Sequence, residues 1–189
     1  LRDMNDALHR ADGIIMGLLD FSAPGKVDLK PMDLNTLLRS SLNLVKHELK
    51  SGGIQVTTSF CDNLPPVLAD ANKIKQVFVN ALTNAAHAMQ ATGGTMRIGV
   101  RPVALAGETA ARQQLSPGPY AEILFSDTGH GMDEEVRLRI FDPFFTTKET
   151  GQGTGLGLSA VHGIIEAHQG AIEVTSAPGQ GTTFTIYLP

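Results

Sequence analysis

The 189 residues include 42% hydrophobic and 18% charged side chains, a balance that suits an ordinary globular chain and excludes a collagen-like repeat or a largely disordered polypeptide. A net charge of −4 offers no electrostatic footprint for duplex nucleic acid, so no nucleic-acid partner is expected. The single cysteine, Cys61, cannot form an internal disulfide and has no His or Cys companions at metal-ligand spacing, which argues against zinc and for a reducing, cytoplasmic setting.

No stretch is long and apolar enough to read as a membrane span, and a chain beginning at Leu1 reads as a piece of a longer polypeptide, whose membrane anchor, where it has one, lies in other segments. Met4, Leu8, Ala11, Ile15 and Leu18 recur at spacings of three and four, predicting a helix with one narrow apolar stripe that needs a partner helix. Pro24 and Gly25 end that segment. Asp33, followed by Leu34, Leu37, Leu38, Leu42, Val45 and Leu49, predicts a capped amphipathic helix stopped at Gly52 and Gly53, so the main domain starts near residue 30. Residues 54–60 alternate as a strand, Asp70 caps a helix running to about Gln90, and 96–101 and 120–126 read as further strands. The stretch 103–119 has no period and is expected as a surface hairpin insertion, not an element of the fold. Half of the 20 glycines fall between Gly129 and Gly181. Residues 158–168 then read as a helix terminated by Gly170, and 171–176 and 182–188 as a closing hairpin turned by Pro178 and Gly179.

Three groups of residues carry chemistry. On the helix from Asp70, Ile74, Val77, Phe78, Ala81, Ala85 and Ala88 share one face, while Lys73, Gln76, Asn80, Asn84 and His87 line a neighbouring stripe. Asparagine competes with helical backbone bonds, so two at i and i+4 are either part of a solvated face or serve a ligand, such as a hard Mg²⁺ that shares its shell with substrate phosphate. Asp127-Thr128-Gly129-His130-Gly131-Met132 puts a carboxylate at a strand end before two glycines, a pattern common in turns that also suits an exocyclic purine amine. Gly151-Gln152-Gly153-Thr154-Gly155-Leu156-Gly157 leads into a helix, where backbone N–H groups can cradle an anion; neither a P-loop nor a dinucleotide fingerprint fits it. Between the last two groups, residues 140–148 concentrate Phe141, Phe144 and Phe145 in a loop-like stretch that could anchor a cover.

In this order and spacing the four blocks resemble the catalytic ATP-binding domain of two-component sensor histidine kinases, within the gyrase, Hsp90, kinase and MutL (GHKL) ATPase superfamily. Residues 80–89 resemble the N box, 127–132 the first glycine box, 140–148 the F box and 151–158 the second glycine box. The resemblance implies an α+β fold, a two-layer Bergerat-type sandwich with helices over a mixed sheet at 30–189 and a lid spanning roughly His130 to Gly155. It also implies that residues 1–24 are the second helix of the dimerisation and phosphotransfer hairpin. By the same resemblance ATP and Mg²⁺ are the cofactors: Asp127 reads the adenine, Asn84 binds the metal, and Asn80 supports the phosphate and metal shell. Gly153, Gly155 and Gly157 admit the triphosphate, with His87, Gly129, Gly131, Met132, Phe141, Thr146, Thr147, Lys148, Gly151, Thr154 and Leu156 as further nucleotide contacts.

Asn80 and Lys148 are the residues the resemblance ties to transfer. Hydrolases of the superfamily resemble one another in carrying Glu where Asn80 stands here; an amide cannot accept a proton, so the γ-phosphoryl group stays available for another nucleophile. In the kinases that nucleophile is a histidine, and the implied partners are a phosphoacceptor domain of the parent, a response-regulator receiver domain and a second subunit of a homodimer. His47-Glu48-Leu49 imitates the acceptor motif but lies in the helix opening the ATP domain and lacks the downstream Pro, so the acceptor is expected elsewhere. A GHKL-type ATPase and a non-catalytic ATP-binding interaction module remain the alternatives.

Overall fold

The structure is a computed structural model that describes residues 27–148 and 153–189; the stripe at 4–18, the segment 1–24 and Gly151 lie outside the described residues. In chain order the elements are β1 (Lys30–Met32), α1 (Leu34–Ser51), β2 (Ile54–Phe60), β3 (Val67–Ala69), α2 (Ala71–Ala88), β4 (Gly94–Leu105), α3 (Gly107–Arg112), β5 (Gly118–Asp127), α4 (Glu134–Arg139), α5 (Gly157–Ala167), β6 (Ala171–Ala177) and β7 (Gly181–Leu188). Five strands form one mixed sheet in the order β2-β4-β5-β7-β6, with β2 parallel to β4 and the other neighbours antiparallel. β1 and β3 make a separate antiparallel ribbon.

Period-two alternation gives this sheet a dry face and a wet one. Met96, Ile98 and Val100 of β4, Ala121, Ile123 and Phe125 of β5, and Phe184, Ile186 and Leu188 of β7 are all buried. They form one core with the buried residues of α1, α2 and α5. On the intervening positions the cross-strand partners Arg101 and Glu122 form an ion pair, and Ser126 hydrogen-bonds Thr183 at 2.8 Å. One covered face and one polar face make the two-layer sandwich.

The helices begin where the sequence signals them. Asp33 accepts from the N–H groups of Asn35 and Thr36, and Asp70 from those of Asn72 and Lys73, satisfying donors that a helix start leaves free. α2 buries Ile74, Val77, Phe78, Ala81, Leu82, Ala85 and Ala86, adding Leu82 and Ala86 to the expected stripe while Ala88 is only partly buried, because the helix is pressed between α1, α5 and the sheet. Buried His168 ties two helix ends together: its Nε2 accepts from the Asp70 N–H at 3.0 Å while Nδ1 lies 2.7 Å from the Ile164 carbonyl oxygen. Those contacts require the neutral ring with its proton on Nδ1.

Several elements differ from expectation. β1, β3 and α4 span three to six residues, too short for periodicity to reveal. The stretch 103–119 is not a bare insertion: β4 runs on to Leu105, α3 follows, and β5 starts at Gly118. Leu105, Ala110, Tyr120 and Tyr187 bury one another there in a satellite core, which an apolar count of one residue per short element conceals. At the end of α5 the left-handed residue is Gln169, at φ 57°, rather than Gly170. Gly170 is required because a Cβ there would fall on the Tyr187 carbonyl oxygen.

Phe78 is fully buried, with its ring 5.7 Å from that of Phe125 at the contact between α2 and the sheet. Phe78→Ala is expected to cost about 3–5 kcal/mol in urea unfolding, through lost burial and the cavity left behind; a cost near zero would show that the contact is not central to the core.

Candidate functional site

Asp127 occupies a position where β5 would otherwise place another core residue, two beyond Phe125 and facing the same layer. It is 6% exposed, and its Oδ1 accepts from the N–H groups of Gly129 at 2.8 Å and Thr182 at 3.3 Å. Among the described residues no hydrogen bond engages Oδ2. Burial pushes this carboxyl above its ordinary value, against the pull of those two N–H groups and of His130.

The chain leaves Asp127 through a passage too narrow for side chains. A Cβ on Gly129 would lie 2.7 Å from the Ala88 carbonyl oxygen at the end of α2, and the next N–H, of His130, donates to that same oxygen at 3.2 Å. Gly131, at φ 66°, lies against the Ala177 carbonyl, and Gly181, at φ 78°, against that of Asp127, so neither backbone conformation nor space admits a Cβ. Protein backbone thus makes the close approaches at Gly129 and Gly131. The Met132 N–H donates to Ser176 Oγ at 2.8 Å, and that hydroxyl donates to the Gly181 carbonyl at 2.9 Å. Ser176 and Thr182 support the site from some fifty residues downstream, a link visible only once β5 and β7 are in register.

The asparagine stripe faces a second wall. Asn80 Nδ2 lies 3.4 Å from the carbonyl oxygen of Gly157, the first residue of α5. Two turns on, His87 Nδ1 lies 2.7 Å from Lys148 Nζ, while His87 Nε2 lies 3.3 Å from Glu48 Oε1 on α1. Asn84, half-buried, falls between these two contacts on the same stripe, and among the described residues no side-chain hydrogen bond engages its amide. Burial lowers the proton affinity of His87, helped by Lys148 and opposed by Glu48; burial likewise lowers that of Lys148, again opposed by Glu48. Among the described residues no three His, Cys, Asp or Glu side chains cluster as a metal cage. A cation here would have Asn84 as its protein ligand and need phosphate oxygens and water for the rest of its shell, an oxygen donor set that fits Mg²⁺.

The F-box segment is structured rather than loose. After α4, capped by Asp133, Phe141 packs into the main core with its ring 5.0 Å from that of His162, and Phe145 carries the Arg139 guanidinium 4.3 Å from its ring centroid. Only Phe144 stays exposed, at φ 66°, and its N–H donates to the Gly155 carbonyl at 3.0 Å. Thr146 Oγ1 accepts from the Lys148 N–H at 3.2 Å, while Thr147 is exposed. Gly153 lies against the Thr146 hydroxyl and the stem of Lys148. Thr154 Oγ1 accepts from the N–H of buried Leu156 at 3.3 Å, and no N-cap side chain closes the first turn of α5. The expected lid, His130 to Gly155, therefore carries a helix and a core anchor through its described part.

A model of the histidine kinase-, DNA gyrase B- and HSP90-like ATPase family matches residues 69–189. The chain belongs to that family. Within it, the chain is 38% identical over 180 residues to the sensor histidine kinase ZraS of Escherichia coli K12, covering 95% of this chain and 35% of ZraS. Full-length ShkA, solved in complex with AMPPNP, superimposes with a TM-score of 0.75 at 28% identity over 100% of this chain and 37% of ShkA. The nucleotide-free catalytic domain of histidine kinase ThkA superimposes at 0.67 with 29% identity, covering 86% of this chain and 95% of that domain. The mixed sheet covered by helices is accordingly the GHKL sandwich of a histidine kinase catalytic domain. The chain spans about a third of the length of ZraS.

Because the folded Asp127 holds its proton more tightly than the unfolded chain does, protonation stabilises the fold; that contribution is complete below pH 3.8 and is lost as pH rises through the folded value. Asn in its place keeps an oxygen for Gly129 and Thr182 without the buried charge. Asp127→Asn is therefore expected to gain stability relative to the parent as pH rises from about 3 to about 7, measured by urea unfolding of both proteins; a pH-independent difference would contradict the assignment.

Proposed function

We propose that this chain is the catalytic core of a sensor histidine kinase. It binds Mg-ATP between α2 and the segment from His130 to α5, and presents the γ-phosphoryl group to a histidine supplied from outside residues 30–189. Residues 1–24 serve as the second helix of the dimerisation and phosphotransfer hairpin in a homodimeric parent, and the phosphoryl group passes on to an aspartate of a response-regulator receiver domain. The observation that carries the reading is the convergence of the Asn80, Asn84 and His87 stripe with the start of α5 and with Lys148.

In this reading Asp127 Oδ2 accepts from the adenine amine, and the buried position of the carboxylate makes a mismatched base costly. Asn84 offers its amide oxygen to Mg²⁺, whose charge neutralises phosphate oxygens. Asn80 holds the α5 end of the cleft, and the free N–H groups of the first turn of α5 face the phosphates with Gly153, Gly155 and Gly157. Thr146, Thr147, Thr154 and Leu156 shape that end, while Gly129, Gly131, Met132 and Phe141 fix the wall beneath the purine. Lys148 brings a positive charge toward the γ-phosphoryl group, where charge builds during transfer. An imidazole nitrogen of the acceptor attacks phosphorus, the bond to the β–γ bridging oxygen breaks, and ADP leaves. No carboxylate stands at position 80 to deprotonate water, which favours transfer over hydrolysis.

Calorimetric titration with AMPPNP, with and without Mg²⁺, tests the binding step. Saturable binding is expected, and Asn84→Ala should reduce the Mg²⁺-dependent affinity by roughly tenfold or more while changing metal-free binding little. No saturable binding by the parent, or equal Mg²⁺ dependence in both proteins, would overturn the assignment. With γ-labelled ATP the chain alone should label no histidine, and its phosphate release should stay at the level of Asn84→Ala. Labelling of His47 or rapid release would replace this reading with self-phosphorylation or hydrolysis.

A further inference from the structure

We infer that Glu48 is a positioning residue for the nucleotide site: through the ring of His87 it holds the Lys148 ammonium at the mouth of the cleft. The inference rests on the reading of that cleft as an Mg-ATP site and adds a residue from α1, an element that contributes nothing to the four sequence blocks.

Proton bookkeeping fixes the direction of the relay. An ammonium has three donors and no acceptor, so at 2.7 Å from Lys148 Nζ the His87 Nδ1 must supply a lone pair. The ring proton then sits on Nε2, and Glu48 Oε1 lies 3.3 Å from that nitrogen. Lys148 requires a lone pair on Nδ1, and the Glu48 carboxylate beside Nε2 favours the same tautomer by its charge. Without Glu48 the Lys148 ammonium alone favours Nε2–H over Nδ1–H, since the Nδ1–H form turns a donor toward it.

The packing around the relay supports the same role. Glu48 is fixed on α1 beside buried Leu49, and its own carbonyl accepts from the Gly52 N–H at 3.0 Å where that helix ends. The Lys148 stem is flanked by Gly153, where a Cβ would lie 3.2 Å from Lys148 Cδ. Lys148 is thus held at its head by His87 and flanked along its stem by Gly153, leaving two ammonium protons for oxygens of the nucleotide. Of the His47-Glu48 pair that imitates an acceptor motif, Glu48 makes this contact while His47 is exposed.

The decisive experiment is a double-mutant cycle on Mg-AMPPNP affinity, by calorimetry, in the parent chain, Glu48→Ala, Glu48→Gln, Lys148→Ala and the Glu48→Ala/Lys148→Ala pair. Because the groups are half-exposed, Glu48→Ala should weaken binding roughly two- to fivefold. Glu48→Gln should lose less, since it retains the packing and still turns a polar oxygen toward Nε2. In the Lys148→Ala background Glu48→Ala should add nothing. Nitrogen NMR of the His87 ring should report the Nε2–H tautomer in the parent and a shift toward Nδ1–H in Glu48→Ala. Parent-like affinity in Glu48→Ala, an undiminished loss in the Lys148→Ala background, or an Nδ1–H ring in the parent each overturns the inference while leaving the nucleotide site standing. A parent that binds no nucleotide removes both together.

Discussion

The site depends on one constraint: a carboxylate placed where the sheet's alternation calls for an apolar residue. Ala121, Ile123 and Phe125 set the inward register of β5, and Asp127 is next in that series. A charge there is tolerated because β5 ends at that residue and two backbone N–H groups converge on one of its oxygens. The glycines on either side exist for the same reason. With a Cβ at 129, 131 or 181 the chain could not turn past α2 and the closing hairpin closely enough to deliver those N–H groups.

α2 serves core and cleft with adjacent faces of one cylinder. Its apolar side fastens the sheet through Phe78, and a neighbouring stripe carries Asn80, Asn84 and His87 at one helical spacing. Any rotation of this helix that displaced the asparagines would also pull Phe78 from Phe125, so the packing of the core sets the geometry of the stripe. Contacts at both ends of the stripe, to Gly157 and to Lys148, carry that rigidity across to the opposite wall.

Much of this was legible in the sequence because it is periodic or local. The caps at Asp33 and Asp70, the amphipathic faces of α1 and α2 and the closing hairpin all follow from spacing. What escaped was short or distant. A six-residue α3 and a six-residue α4 have too few turns to show a stripe, and the satellite core draws Leu105, Ala110, Tyr120 and Tyr187 from four separate elements. In the site, Asp127, Asn80 and Asn84 stood out as residue types unsuited to their surroundings. Ser176, Thr182 and Glu48 are common surface residues whose roles arise only from register and packing. His168 is similar: a histidine near a helix end suggests a solvated tip, and only the meeting of α5 with the start of α2 reveals its two hydrogen bonds.

The same contrast separates what the fold requires from what a ligand requires. Gly181 and Gly170 are fully explained by protein atoms, since each faces a carbonyl that leaves no room for a side chain. Asn84, an uncommitted Asp127 oxygen and the uncapped first turn of α5 are not explained that way. Among the described residues no side chain caps that turn or hydrogen-bonds the Asn84 amide or Asp127 Oδ2. In the proposed reading the three border one cleft and want different things: a cation, a hydrogen-bond donor and an anion. A magnesium-bound adenine nucleotide would, in that same reading, supply all three in one molecule.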